Sequence, residues 1–489
     1  MQSLNSALPV AVLGAGPVGL AAAARLIERG LTPLVLEAGT EVGAHLRSYG
    51  HVRLFSPWRY NIDAAVAALL GGSGWQAPPA EDLPLAREVV DRVLAPFAGL
   101  PAVAPHVQLN TRVLSVSREG FDKVKTRGRE EAPFVVRALQ RGAPVQFRAR
   151  AVIDATGTWS TPNPLGADGL PAQGELALGT STTSVTSAGG DTSRIFYGIP
   201  DVLGRHRARY AGRRTLVVGA GHTAANALLA LVELAESQDA APGTRLVWAV
   251  RSPDLTRVFG GGDADALSAR GALGKALAAL HAGGGLEFVS GLHIRAVEGR
   301  ADKAPGSSDT LVVRGHDAQG HPLTQEGIDQ IICATGQRPD LSLTSELRLK
   351  LDPALESTEA LGPLIDPNEH SCGTVRPHGH RELAHPEPGF YTLGVKSYGR
   401  APTFLMATGF EQARSVVAAI AGDMAAADRV ELDLPQTGVC SVNPGSTGDP
   451  AASGGDAAAA AACCGPASAL VAMSVMPRQA RTEKAACCG

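Results

Sequence analysis

The chain is 489 residues long, 44% hydrophobic and 19% charged, with a formal net charge of −3. That length suits two or three domains with sizeable cores, and the faintly acidic balance argues against a nucleic-acid or membrane-surface partner. No stretch approaches the roughly eighteen apolar residues of a membrane span, and residues 1–8 are short and polar where a leader would be apolar, so a cytoplasmic protein is expected.

An apolar strand at 9–13 runs into Gly14-Ala15-Gly16-Pro17-Val18-Gly19, followed by an alanine-rich helix closing at Arg29-Gly30 and a second strand, 32–36, that ends in Glu37. This is a G-x-G-x-x-G turn between a buried strand and a helix, with a carboxylate about twenty residues on, which is the setting of a dinucleotide-binding fingerprint. Gly14 makes the tight turn, Gly16 lets backbone N–H groups approach a pyrophosphate, Gly19 lets the helix pack on the strand, and Glu37 can accept from a ribose hydroxyl. The helix N-terminus turns its partial positive charge to the phosphates. At the head of the chain the expected ligand is FAD.

Residues 81–97 show helical spacing, and 107–116, 133–138 and 144–149 form a small meander. A buried strand at 151–157 ends in Ala-Thr-Gly, where Gly157 returns to the dinucleotide, and the polar run 174–193 marks a crossover into a new domain. A second fingerprint follows: strand 215–218, then Gly219-Ala220-Gly221-His222-Thr223-Ala224, with Ala224 in the third position as the pattern permits. The next strand, 246–250, ends in Arg251-Ser252. A carboxylate there would repel a 2′-phosphate and an arginine can pair with it, so this site is expected to take NADPH. Gly260-Gly261-Gly262, beside Arg257, offers a mobile joint and a candidate lid.

The strand 331–336 again ends in Ala-Thr-Gly, at Gly336, and marks the return to the first domain. A short strand at 388–394 closes on Gly394, and Thr408-Gly-Phe-Glu411 opens a helix with a capping-box pattern, placing Phe410, Ala413, Val417 and Ile420 on one face. The N-terminus of that helix could point at a flavin ring and stabilise negative charge on it. The expected fold is α/β with two Rossmann-like domains, the second inserted in the first. Residues 1–170 and 331–432 form the FAD domain, 171–330 the NADPH domain, and 433–489 a flexible cysteine-containing tail rich in Ala, Gly and Ser.

With its paired nucleotide turns and two Ala-Thr-Gly returns, the chain resembles the two-dinucleotide-binding flavoproteins, and within them the flavin-containing monooxygenases. His206 and Tyr210, with Phe196 and Gly198, are similar to parts of that family's signature before the second turn, although Gly198 and His206 stand too far apart to meet it in full. Gly394-Val395-Lys396 stands where relatives often carry Gly-Asp against the flavin's sugar-alcohol chain. Neither the C-x-x-x-x-C of glutathione-reductase-type enzymes nor the C-x-x-C of thioredoxin reductase is present, because the first of the seven cysteines is Cys333. O₂ is then the simplest electron acceptor, with one oxygen transferred to a soft nucleophile.

Cys463-Cys464 and Cys487-Cys488 are adjacent pairs, and the ending Ala-Ala-Cys-Cys-Gly is similar to the C-terminus of mercuric reductase. The whole resembles an arsenic-resistance-associated flavin monooxygenase. Thiolates are the natural ligands of soft metals and metalloids, which makes Cys372, Cys440, Cys463, Cys464, Cys487 and Cys488 the candidates for substrate capture. Cys372 with His378 and His380 lacks the C-x-x-C half of a zinc site, so no metal site is assigned, and Cys333 reads as a packing residue. A homodimer is possible. No catalytic residue is assigned. Three functions fit: an FAD/NADPH monooxygenase acting on a small molecule such as a trivalent arsenical, a flavin reductase of a thiol-bound metal ion, and a non-enzymatic thiol buffer.

Overall fold

Four consecutive apolar residues, Val10–Leu13 (β1), are buried on both faces, and the strand accordingly stands in the middle of a parallel sheet. In the computed structural model, which describes residues 7–179, 193–237, 243–265, 267–300, 309–369, 375–402 and 404–432, β1 is followed by helix Pro17–Glu28 (α1) and strand Pro33–Leu36 (β2). Val107–Gln108 (β3), Ala151–Asp154 (β7) and Phe390–Thr392 (β16) complete the sheet in the order β16-β7-β1-β2-β3. Between β3 and β7, Thr111–Arg118 (β4), Phe134–Gln140 (β5) and Ala143–Ala149 (β6) form an antiparallel meander. The expected single strand over 107–116 is split because Asn110 adopts φ 54°, a left-handed conformation that asparagine tolerates. Its first part joins the parallel sheet and its second the meander.

The second sheet repeats the design. Ile195–Tyr197 (β8), Arg214–Val218 (β9), Arg245–Ala249 (β10), Glu287–Val289 (β11) and Gln330–Cys333 (β15) stand in the order β11-β10-β9-β15-β8, all parallel. His293–Arg300 (β12), Thr310–His316 (β13) and Pro322–Ile328 (β14) form its antiparallel meander. Strand β15 pairs with β9 and β8, so the second sheet keeps residues to Cys333 where the sequence placed the boundary at 331. Of the helices, Ala64–Gly71 (α2) is capped by Asp63, whose side chain accepts from Ala65 and Val66 N–H, while His222–Glu236 (α3) and Ser268–Ala282 (α4) pack beside the second sheet. The helical run expected over 81–97 begins at Ala86, where Glu88 accepts from the Leu85 N–H at 2.6 Å.

Met406–Ile420 (α5) lies against α1, and the contact needs small residues: a Cβ at Gly409 would stand 2.5 Å from Val18 Cγ2. The capping box expected at Thr408 does not form. The helix starts at Met406 and Glu411 pairs instead with Arg414, at 2.6 Å, inside the protein. Nor is the Gly260-Gly261-Gly262 stretch a loose joint: α4 presents Gly271 and Gly274 to it, and Cβ atoms there would meet the Gly262 and Phe259 carbonyls at 2.0 Å each. The tail 433–489 lies outside the described residues.

One buried carboxylate ties the first meander to the rest of its domain. Glu387 accepts from Arg118 Nε at 2.8 Å, from Arg129 Nη1 at 2.6 Å and from the Arg348 N–H at 3.1 Å, with all three side chains of the ionic cluster at most 3% exposed. Burial alone would raise this carboxyl, but the hydrogen bonds from Arg129 and Arg118 outweigh it and hold the group below its ordinary 4.5. Its contribution is therefore complete above that value and fades as pH falls through the lower folded-state value. Glu387→Gln, which leaves two buried guanidiniums without their carboxylate, is expected to cost about 3–5 kcal/mol near neutral pH. Denaturant titration should show that difference shrinking between about pH 5 and pH 3; a difference that stays constant would contradict the assignment.

Candidate functional site

The carboxyl end of β1 turns at Gly14 with φ +96°, and a Cβ there would stand 2.7 Å from the Ala155 carbonyl oxygen at the end of β7. Gly19 is just as constrained, since its Cβ would meet the Gly14 carbonyl oxygen at 2.1 Å. Gly16 differs. It is the N-cap of α1, no side chain caps the helix, and nothing lies within 4 Å of where its Cβ would point. Two of the three glycines hold the turn together and the third leaves an approach to the helix N-terminus open, which is the arrangement that seats an anionic phosphate.

Around this opening stand the other residues of the first constellation. Glu37 Oε2 accepts from the Ala15 N–H and Oε1 from the Gly39 N–H, both at 2.7 Å, which fixes the carboxylate beside the turn with lone pairs to spare. Gly157 lies about 4 Å from His45 Nδ1 and Val395 Cγ1, measured from its would-be Cβ. The His45 imidazole is lowered by burial, partly opposed by the charge of Glu37, and its Nε2 is 3.2 Å from Ser160 Oγ. Gly394 donates its N–H to Gln412 Oε1 at 2.8 Å, and Gln412 in turn donates to Ser397 Oγ and to His378 Nε2.

Sequence reasoning missed one pair here. Lys396 Nζ donates to Asp154 Oδ2 at 2.7 Å and to Thr156 Oγ1 at 3.0 Å, while Asp154 Oδ1 accepts from both the N–H and the hydroxyl of Thr156. Lys396 and Asp154 are fully buried, so the lysine holds the Ala-Thr-Gly turn and does not reach outward. A lysine next to a Gly-Val dipeptide carries no sequence signal of a partner 242 positions away.

The second turn copies the first. Gly219 has φ +135° with its would-be Cβ 2.2 Å from the Ala334 carbonyl oxygen, Gly221 is the N-cap of α3 with nothing within 4 Å, and Ala224 is fully buried. Arg251 follows β10, is exposed, and donates through Nη1 to the Ala167 carbonyl at 3.1 Å. Gly336, at φ +87°, packs on Asn163, which donates its backbone N–H to the Gly336 carbonyl (2.9 Å) and Nδ2 to the Thr335 carbonyl (3.0 Å). Arg338 Nε donates to Asn163 Oδ1, so the two Ala-Thr-Gly returns are laced together. The halves also meet where Phe55 packs on His222, at 5.1 Å between ring centroids, and where Arg205 donates to the Ser48 carbonyl. Phe196 and His206 stack edge to face at 5.0 Å, and Gly198, at φ +99°, lies against Trp159.

Residues 12–77 match the NAD(P)-binding Rossmann-like domain family. No curated protein matches the sequence. Among solved structures, the chain is similar to bacillithiol disulfide reductase from Bacillus cereus, with a TM-score of 0.56 and 19% identity over 85% of this chain and 99% of that one. It is also similar to FAD-bound DfoA, the cadaverine monooxygenase of desferrioxamine biosynthesis in Erwinia amylovora, with a TM-score of 0.56 and 14% identity over 88% of this chain and 97% of that one. Similarity extends to the ornithine N-hydroxylase of Kutzneria sp. 744 with reduced FAD, NADP⁺ and L-ornithine, with a TM-score of 0.52 and 16% identity over 86% and 98%. The fold is that of the two-dinucleotide-binding flavoproteins. Within it the structure gathers Gly14, Gly16, Gly19, Glu37, Gly157 and Gly394 at one turn and Gly219, Gly221, Ala224, Arg251 and Gly336 at the other.

The cysteine candidates are not placed: Cys372, Cys440, Cys463, Cys464, Cys487 and Cys488 all lie outside the described residues. Cys333 is buried in β15 and burial pushes its thiol up to about 12, as befits a packing residue. His378 and His380 are engaged elsewhere, with Gln412 and Asp428, and no group of three His, Cys, Asp or Glu side chains suited to a metal occurs among the described residues.

The two classes of glycine are separable by mutation. Gly16→Val should fold with a loss of about 1 kcal/mol or less and yet fail to retain FAD, because only the ligand's space is filled. Gly19→Ala should cost about 1–3 kcal/mol even without ligand, because a backbone carbonyl must move. Melting curves of the ligand-free proteins and the flavin absorbance after purification check both; equal destabilisation by the two changes would contradict the assignment.

Proposed function

We propose that the protein is an FAD-dependent oxidoreductase that oxidises NADPH and, as a monooxygenase, transfers one atom of O₂ to a soft substrate such as a trivalent arsenical. The observation that carries its redox half is the pair of matching turns, each open at its second glycine and each locked on an Ala-Thr-Gly strand. The first turn fits FAD: Gly16 admits the pyrophosphate and Glu37 presents a fixed carboxylate to ribose hydroxyls. The second fits NADPH, with Gly221 in the place of Gly16 and Arg251 supplying a cation where an NAD site carries an acid. When bound, the flavin supplies two-electron chemistry between a nicotinamide and O₂.

The chain's own residues provide the setting. Lys396, Asp154 and Thr156 fix the turn that leads to Gly157, and the N-cap of α5, Leu405, offers no side-chain cap, leaving the first amides of the helix for a ligand. Trp159 lies over Tyr49, with centroids 4.6 Å apart, and Phe55 packs on His222 across the two halves. His45, kept neutral by burial, can accept or donate a proton at Nε2 beside Ser160. The overall change balances as NADPH, a proton, O₂ and an As(III) species giving NADP⁺, water and the As(V) oxide.

Oxygen is favoured as acceptor because residues 1–332 contain no cysteine and Cys333 is an inert buried thiol. Cys372 and Cys440 would then hold the arsenical near the flavin, with Cys463-Cys464 and Cys487-Cys488 as capture pairs and the cytoplasm as the site of action. The similarity in fold to a disulfide reductase, together with those vicinal thiols, favours a second reading, in which the electrons pass to a thiol-bound metal ion. Stopped-flow reoxidation of the reduced flavin separates the two. With O₂ and arsenite or methylarsenite, substrate-dependent NADPH consumption and an oxidised arsenical are expected, and both should cease without oxygen. Equal NADPH oxidation on Hg(II) in the absence of oxygen would replace the monooxygenase with the reductase.

A further inference from the structure

A groove of about 340 Å³ lies between residues 166–172 and the edge of the second meander, lined by Asp168, His293, Arg295 and His316 among others. Strand geometry creates it. Arg295 is the extra residue of a β-bulge in β12 between Ile294 and Ala296, it and His293 both line the groove, and His316 is the cross-strand partner of His293. The two imidazoles stack with centroids 5.4 Å apart and planes at 9°. His316 Nδ1 donates to the Asp317 carbonyl at 2.7 Å, which leaves Nε2 as its outer nitrogen. Asp168 lines the groove with one carboxylate oxygen, Oδ1, engaged by the Leu170 N–H of its own loop at 3.1 Å.

Arg251 is tied to one wall of this groove through Ala167. The Ala167 N–H donates to the Ile294 carbonyl at 3.1 Å, and the Ala167 carbonyl accepts from Arg251 Nη1 at 3.1 Å. The Leu292 N–H bonds to the Val250 carbonyl at 3.0 Å, which brings the start of β12 to the carboxyl end of β10. In a Rossmann half the adenosine end of a dinucleotide lies across the carboxyl end of this second strand. We propose, building on the NADPH assignment above, that the groove seats the adenosine 2′-phosphate, with His293 and Arg295 joining Arg251 to set the preference for NADPH over NADH. An imidazole and a second guanidinium add donors that a 2′-hydroxyl would not repay with charge.

Calorimetric titration of the full-length, FAD-loaded protein with adenosine 2′,5′-bisphosphate and with AMP tests this. The double variant His293→Ala/Arg295→Ala should keep its flavin and its AMP affinity but lose about tenfold or more in affinity for the bisphosphate. If the double variant binds the bisphosphate as the wild type does while Arg251→Ala does not, the groove has no part in recognition and the NADPH assignment survives. If the wild type itself shows no preference for the bisphosphate over AMP, both the groove and the NADPH assignment are overturned.

Discussion

Two backbone contacts of one kind hold the active architecture together: Gly14 against the Ala155 carbonyl, and Gly219 against the Ala334 carbonyl. In each, the turn that leaves a central strand is pressed onto the neighbouring Ala-Thr-Gly strand so closely that no side chain fits. The positive φ at both glycines costs little only because there is no Cβ. With the turn fixed in this way, the next glycine becomes the helix N-cap and its amide end faces open space. Strand pairing, turn geometry and ligand access are thus one constraint, met twice in a single chain.

The sequence carried this constraint openly because it is local. Glycine spacing, the apolar strands and the downstream Glu37 or Arg251 all lie within about forty residues of each turn, and the order of elements follows from strand-turn-helix units. What it did not carry was long-range polar pairing. Lys396 lay beside a motif position but its partners Asp154 and Thr156 come from β7 and its turn, and Glu387 meets Arg118, Arg129 and Arg348 from three separate segments. The expected capping box failed for a local reason instead: Glu411 pairs with Arg414, three residues on in the same helix and inside the core. Boundaries shifted where one residue's conformation decided them, as Asn110 did between two sheets.

The lacing of the two Ala-Thr-Gly returns through Asn163 and Arg338 gives the paired turns a common frame. Such a frame matters for hydride transfer, which requires donor and acceptor rings within van der Waals reach and is very sensitive to small displacements. Phe55 and His222, from the two halves, pack on each other across that frame. The buried Lys396–Asp154 pair acts on the same frame from the first turn, by holding Thr156 ahead of Gly157.

Anaerobic mixing of the FAD-loaded protein with one equivalent of NADPH tests the central claim, that one chain brings two dinucleotides together for hydride transfer. Bleaching of the flavin band with matching loss of nicotinamide absorbance is expected, and much faster with NADPH than with NADH. A flavin that binds tightly yet stays oxidised in the presence of NADPH would contradict it.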